Sequence, residues 1–253
     1  MRKYLCASED CKEKLRDHLL GVGNCCSFLI KFTNLNINPS LGLVAGSLHD
    51  IGKGIELYQN EEYYNIVGSF VGHEYISALV AKYLTLSMKL KVEEQFIIIY
   101  SILMHHQALG PVHDRLDSFI NKYNEVKERF KGDKEILKFR DEIIGILEKA
   151  LGSMCNKEDI YASISRCEST LQDIVNRVYV EDPATAYLYV LPDNVDILRL
   201  PTYVFHLARN LCGILMVCDK YIASKAREGK RDPYYLSVED LLKGLGYREL
   251  EVQ

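Results

Sequence analysis

Apolar residues recur at helical spacing along almost the whole chain, and short polar breakers interrupt them. Asn38-Pro39, Gly110-Pro111, Gly132-Asp133 and Asp232-Pro233 mark the turns. The pattern predicts helices over about 9–34, 40–51, 72–88, 92–106, 114–130, 134–151, 157–180 and 202–228, with a short one near 237–244. Ser40, directly after Pro39, is expected to cap the helix that carries His49, and Asp133 the helix that follows it. The fold class this implies is all-α. The stretch 114–180 reads differently from its surroundings: it is charged, amphipathic and free of histidine, and is expected to be a solvated helical insertion on a core built by the rest.

Composition sharpens this picture. With 253 residues and 48% hydrophobic content the chain can bury a substantial core, so one domain over 1–253 is expected. A net charge of -4 excludes a protein that packages nucleic acid through a basic surface; any such contact must be local. The eight cysteines, Cys6, Cys11, Cys25, Cys26, Cys155, Cys167, Cys212 and Cys218, form no Cys-x-x-Cys pair and no zinc-ribbon spacing. Most lie beside apolar residues, and they read as free thiols in a reducing compartment. The first fifteen residues are charged throughout, and the most apolar runs, Phe96–Met104 and Leu211–Val217, are far shorter than the roughly 20 residues needed to span a bilayer. The expectation is a cytoplasmic protein with no membrane contact.

The chemistry lies where strongly apolar helices meet ionisable side chains. Leu43–Asp50 ends in His49-Asp50, Phe96–His106 ends in His105-His106, and Gly213–Asp219 ends in Asp219. Burying an isolated carboxylate costs several kcal/mol, so these groups must be paired or bound to a cation. A lone histidine on an apolar face is most often a hydrogen-bonded core residue. The three histidines at such places, together with His18 and His73, make five of the seven in the chain and favour a shared metal site instead. Neighbouring residues on a helix point about 100° apart, so each dipeptide can serve two metals, with Asp50 as the natural bridge.

The series His18, then His49-Asp50-Ile51-Gly52-Lys53, then Gly72-His73-Glu74-Tyr75-Ile76-Ser77-Ala78, then His105-His106, then Asp219 resembles the HD superfamily. It is most similar to the stand-alone HD nuclease of type I CRISPR interference, over about 15–108 and 200–230. The resemblance implies an all-α HD bundle with His18, His49, Asp50 and Asp219 around one metal, and Asp50, His73, His105 and His106 around a second. It also implies a phosphodiesterase that cuts single-stranded DNA, and RNA as a further substrate. The partners it implies are a guide-RNA surveillance complex and a separate helicase subunit, since no Walker-type loop occurs in the chain. Two divalent ions about 3.5–4 Å apart suit in-line attack on a phosphodiester. Histidine-rich coordination favours manganese, with nickel, cobalt, iron, zinc or magnesium as alternatives.

Lys53, one turn beyond Asp50, is assigned to catalysis as a steadying charge on the scissile phosphate. Lys220, Lys225 and Arg227, followed by Lys230 and Arg231, form a basic stripe after Asp219 suited to phosphates, though a solvated helix end explains it as well. Tyr58, Tyr63, Tyr64 and Tyr75 are placed to stack bases, but in a chain with 17 tyrosines packing is the better reading. His113-Asp114 lies in a loop without an apolar run, and His206 is thirteen residues from Asp219; neither is assigned to metal. Two other readings stand: an HD phosphohydrolase of small nucleotides using the same ligands, and a non-catalytic scaffold stabilised by metal.

Overall fold

The computed structural model describes residues 4–55, 59–60, 65–66, 70–106, 140–178, 189–193, 195–226 and 233–248. Eight helices carry the fold among them: α1 (Leu15–Phe32), α2 (Pro39–Leu48), α3 (His73–Ser87), α4 (Val92–Met104), α5 (Arg140–Leu151), α6 (Lys157–Val178), α7 (Thr202–Ala226) and α8 (Pro233–Gly244). The only described strands, β1 (Gln59–Asn60) and β2 (Asn65–Ile66), pair antiparallel in a two-residue hairpin. The chain is an all-α bundle. No described helix is long and apolar enough to cross a membrane.

Helices α1 and α2 cross at backbone contact. A side chain at Gly46 would lie 2.6 Å from Gly23 Cα, and one at Gly23 would lie 2.5 Å from Ser47 Oγ. Helix α4 leans on α7 through an edge-to-face pair, Phe96 with Phe205 at 5.2 Å, and Ser101 Oγ reaches Ala208 O at 3.0 Å. The other face of α1 packs with the second half of α7 and with α8, where Tyr221 stacks on Tyr235 at 5.4 Å.

Several boundaries differ from expectation for physical reasons. Helix α1 begins at Leu15 rather than near 9, because Ser8 and Asp10 compete for backbone groups: Ser8 Oγ donates to Asp10 Oδ1 at 2.6 Å, which also accepts the Lys12 amide at 3.3 Å. Cys11 then adopts φ 53°, ending any helix there. The α2 cap is Asn38, whose side chain accepts the Ser40 amide at 3.0 Å; Pro39 takes the first helical position, where its missing N–H costs nothing. The predicted helix 114–130 and the cap Asp133 lie outside the described residues.

The stretch expected to be a solvated insertion is, where described, part of the core. Ile143, Ile144, Ile146, Leu147 and Leu151 of α5 are buried among residues of α1–α4, and Ile160, Ile164, Cys167 and Leu171 of α6 join the same cluster. At about 2 kcal/mol for each fully buried aliphatic side chain, that burial commits both helices to the bundle. Their charges crowd the outward face, which is what made the sequence read as solvated.

The cysteine expectation is corrected in part. Cys6 is bonded to Cys11 and Cys25 to Cys218, with Cα–Cα distances of 5.0 and 5.7 Å, the second joining α1 to α7. Cys26, Cys155, Cys167 and Cys212 are free and buried. Burial pushes the Cys212 thiol up to about 11, so it behaves as a small hydrophobe.

Candidate metal centre

The bundle brings seven ionisable side chains from five places to one point. His18 lies in the first turn of α1, His49 and His105 end α2 and α4, Asp50 and His106 follow them, His73 opens α3, and Asp219 sits inside α7. Five of them, His18, His49, Asp50, His73 and His105, are no more than 4% exposed. Asp219, at 21%, and His106 are partly exposed.

Local backbone explains why the rings converge. The last carbonyls of a helix lack intrahelical partners. His49 Nδ1 donates to Gly46 O at 2.8 Å and His105 Nδ1 to Ile102 O at 2.5 Å, each using such a carbonyl. His73 Nδ1 does the same to Phe70 O at 2.5 Å in the turn before α3. His18 has no such carbonyl within reach; its Nδ1 instead meets Glu13 Oε1 at 2.8 Å. All four rings thereby turn Nε2 inward as the ligand atom, with a fixed tautomer. Gly52 holds the Asp50 turn against α3: its amide donates to Ser77 Oγ at 2.9 Å, and a side chain there would strike His73 O at 2.3 Å.

Asp50 divides its carboxylate between two groups. Oδ2 faces His18 Nε2 at 3.3 Å and His49 Nε2 at 3.4 Å, while Oδ1 faces His73 Nε2 at 2.7 Å and His105 Nε2 at 3.5 Å. Asp219 Oδ1 completes the first group, 3.2 Å from His18 Nε2 and 3.6 Å from His49 Nε2. Each set, His18/His49/Asp50/Asp219 and Asp50/His73/His105/His106, has one ligand atom per residue within 4.8 Å of the others, close enough to hold a metal ion. Two further features fit a cation. His18 and His49 face each other Nε2 to Nε2 at 3.3 Å, and His105 Nε2 is buried without a hydrogen bond.

The HD domain family model matches residues 15–147. The chain belongs to the HD-domain family. No curated protein and no solved structure matches it. The match runs from the start of α1 into α5, and Asp219 joins the site from beyond it. Family and His/Asp cluster together mark a metal-dependent hydrolase, and members of this family bind divalent metals.

The charges of this HD site are strongly coupled. Burial disfavours the ionised form of Asp50, but His49, Lys53 and His73 outweigh it and hold the carboxyl well below its ordinary value. Asp219 is likewise held low, burial being overcome by His18 and His49. Burial lowers His49, and burial with the nearby His105 and His73 lowers His106. Burial also opposes protonation of His18, yet Asp219, Asp50 and Glu13 raise it well above 6.5.

Raised in the fold, His18 contributes stability that is fully present below 6.5 and is lost as pH climbs through its higher folded value. A bound divalent cation takes the place of that proton. The rise in Tm on adding manganese should therefore grow as pH is raised from about 6 to about 8, and calorimetry in two buffers of different ionisation heat should register proton release. Glu13→Gln should lower manganese affinity about 10- to 100-fold with the helical circular dichroism unchanged. A manganese increment flat in pH, with Glu13→Gln binding like wild type, would remove His18 from the ligand set.

Glu13 is the site residue that sequence reasoning missed. It lies in the charged run Ser8–Lys14, and no spacing signal sets it apart from its neighbours. Lys53, expected to meet a phosphate, turns onto the protein: Nζ lies 2.5 Å from Asp50 Oδ2 and 3.1 Å from Ala7 O, and over the Phe70 ring at 5.2 Å. Its ammonium sets the charge and orientation of Asp50, and Asp50 keeps it protonated against the effect of burial. Lys220 and Lys225 are exposed on α7 beyond Asp219, and Arg227, Lys230 and Arg231 lie outside the described residues. Tyr75 is buried at 2% and is packing; Tyr58, Tyr63, Tyr64 and His113-Asp114 lie outside the described residues. His206 is exposed, away from the site.

Proposed function

We propose that this HD protein is a metal-dependent phosphodiesterase that cuts single-stranded DNA, with RNA as a further substrate, in CRISPR interference beside a separate helicase subunit. The observation that carries the hydrolytic part is Asp50, one carboxylate with an oxygen turned to each of two histidine groups. In this reading His18, His49, Asp50 and Asp219 hold one divalent ion, Asp50, His73, His105 and His106 hold another, and manganese is favoured by the nitrogen-rich set. The ions supply Lewis acidity to a phosphoryl oxygen and an activated water. The chain's own residues do the rest. Glu13 and the three carbonyls fix the ligand rings, Lys53 holds Asp50, and the buried floor excludes bulk water. The DNA substrate is supported by the motif resemblance and by the exposed Lys220 and Lys225 of α7, which suit a phosphate backbone.

The recessed position of the five most buried ligand residues favours a second reading, hydrolysis of small nucleotides that approach by the partly exposed Asp219 and His106. One experiment separates the two. Labelled linear and circular single-stranded DNA, RNA and a panel of mononucleotides are incubated with manganese, nickel, magnesium or chelator. Cutting of the circular strand that chelator abolishes supports the nuclease, and addition of a CRISPR helicase and guide complex should then extend cutting to the displaced strand. Turnover of mononucleotides with long strands intact overturns the substrate and keeps the centre.

A further inference from the structure

A second cleft, of about 490 Å³, opens between the N-terminal turn, the start of α1 and one face of α5. Its α5 wall is a helical stripe, Glu142, Gly145, Ile146 and Lys149, at spacings of three, one and three that put all four on one side. Tyr4, Leu5, Lys14 and Arg16 form the facing wall. Position 145 has no side chain, and a Cβ built there meets nothing within 4 Å, so the cleft is open at that point.

The lining has two parts with different chemistry. Leu5 and Ile146 back the cleft but are only 1% and 2% exposed, and the Tyr4 ring stands beside them with Lys14 Nζ over its face at 5.4 Å. Lys14, Arg16 and Lys149 bring three cations to the rim, where Glu142 is the one carboxylate. Glu142 directs Oε1 at the Leu5 amide, 2.9 Å away, and Arg16 Nε holds Asp17 Oδ1 at 3.0 Å. An aromatic ring at the wall suits a flat heterocycle, and a cationic rim suits phosphate. The volume is within the range of about 300–1,000 Å³ that small-ligand pockets occupy.

We propose that this cleft is a binding site for a nucleoside phosphate, separate from the metal centre. Its wall is shared with that centre through the N-terminal turn. The turn that carries Tyr4 and Leu5 also supplies the Ala7 carbonyl that holds Lys53 and the Glu13 carboxylate that holds His18. Gln59 clasps the two parts, accepting from Cys6 N at 3.2 Å and donating to Cys6 O and Lys53 O, each at 2.9 Å. A ligand in the cleft therefore orders the turn on which two supports of the metal ligands depend.

The test uses ADP and the full chain in chelator, so that no metal-held phosphate contributes and the proposed hydrolysis plays no part. Calorimetry should show saturable binding of ADP to wild type. Lys14→Ala with Lys149→Ala should weaken it at least about tenfold by removing charge-assisted contacts. Gly145→Met, which fills the hollow without touching a charge, should do the same. All three positions are exposed, so folding should be retained, and thermal melting checks this. Amide exchange at Leu5, Ala7 and Leu15 should slow with ADP in wild type and stay unchanged in Gly145→Met. No saturable binding to wild type, or binding that Gly145→Met leaves intact, would overturn the proposal.

Discussion

Asp50→Ala should abolish hydrolysis, with a loss of more than about a thousandfold, because it removes the one group common to both ligand sets and members of such a unit fail together. The same substitution should also destabilise the chelated protein. Asp50 is 1% exposed and faces Lys53, His18 and His73; removing it strands the Lys53 ammonium in the interior, a type of loss worth about 3–5 kcal/mol. Asp50→Asn separates the two effects. It keeps the shape and one acceptor oxygen, so the helical signal should persist at working temperature while manganese binding and hydrolysis are lost. Activity of Asp50→Asn within tenfold of wild type would mean that hydrolysis does not run through this carboxylate.

Much of this centre was legible because its members break a pattern. Histidine and aspartate at the ends of Leu43–Leu48, Phe96–Met104 and Gly213–Cys218 are conspicuous in sequence, and the structure brings all seven flagged side chains together. His49 and His105 sit at helix ends for the reason that the terminal carbonyls are there to take Nδ1–H. Glu13 follows no such rule, since it acts across a turn whose path depends on Ser8, Asp10 and the Cys6–Cys11 pair. The pairing of Cys25 with Cys218 spans 193 residues, and only the docking of α7 on α1 reveals it. Helices α5 and α6 were misjudged because a charged outer face dominates a local window, whereas burial is decided by what the inner face meets.

The least legible element is the crossing that brings α1 and α2 together, and the second large effect should be found there. Gly46→Ala adds one methyl group, yet that carbon would lie 2.6 Å from Gly23 Cα, 2.7 Å from Gly23 N and 2.9 Å from Val22 C. All three are backbone atoms in a helix, so no rotamer change relieves the clash; the helices must separate. The cost should be about 3 kcal/mol, at the upper end of overpacking, or a Tm lower by roughly 6–12 °C for a chain of this size. Separation also widens the 3.3 Å gap between His18 and His49, so manganese affinity should fall although no ligand has changed. Gly213→Ala is the matched control. It lies inside α7 with nothing within 4 Å of its Cβ, so the same methyl should stabilise by about 0.5–1 kcal/mol through helix propensity alone. Urea unfolding and manganese titration of the two variants read both effects. Equal behaviour of Gly46→Ala and Gly213→Ala would show that the helices do not meet at backbone contact, and the convergence of His18 with His49 would lose its cause.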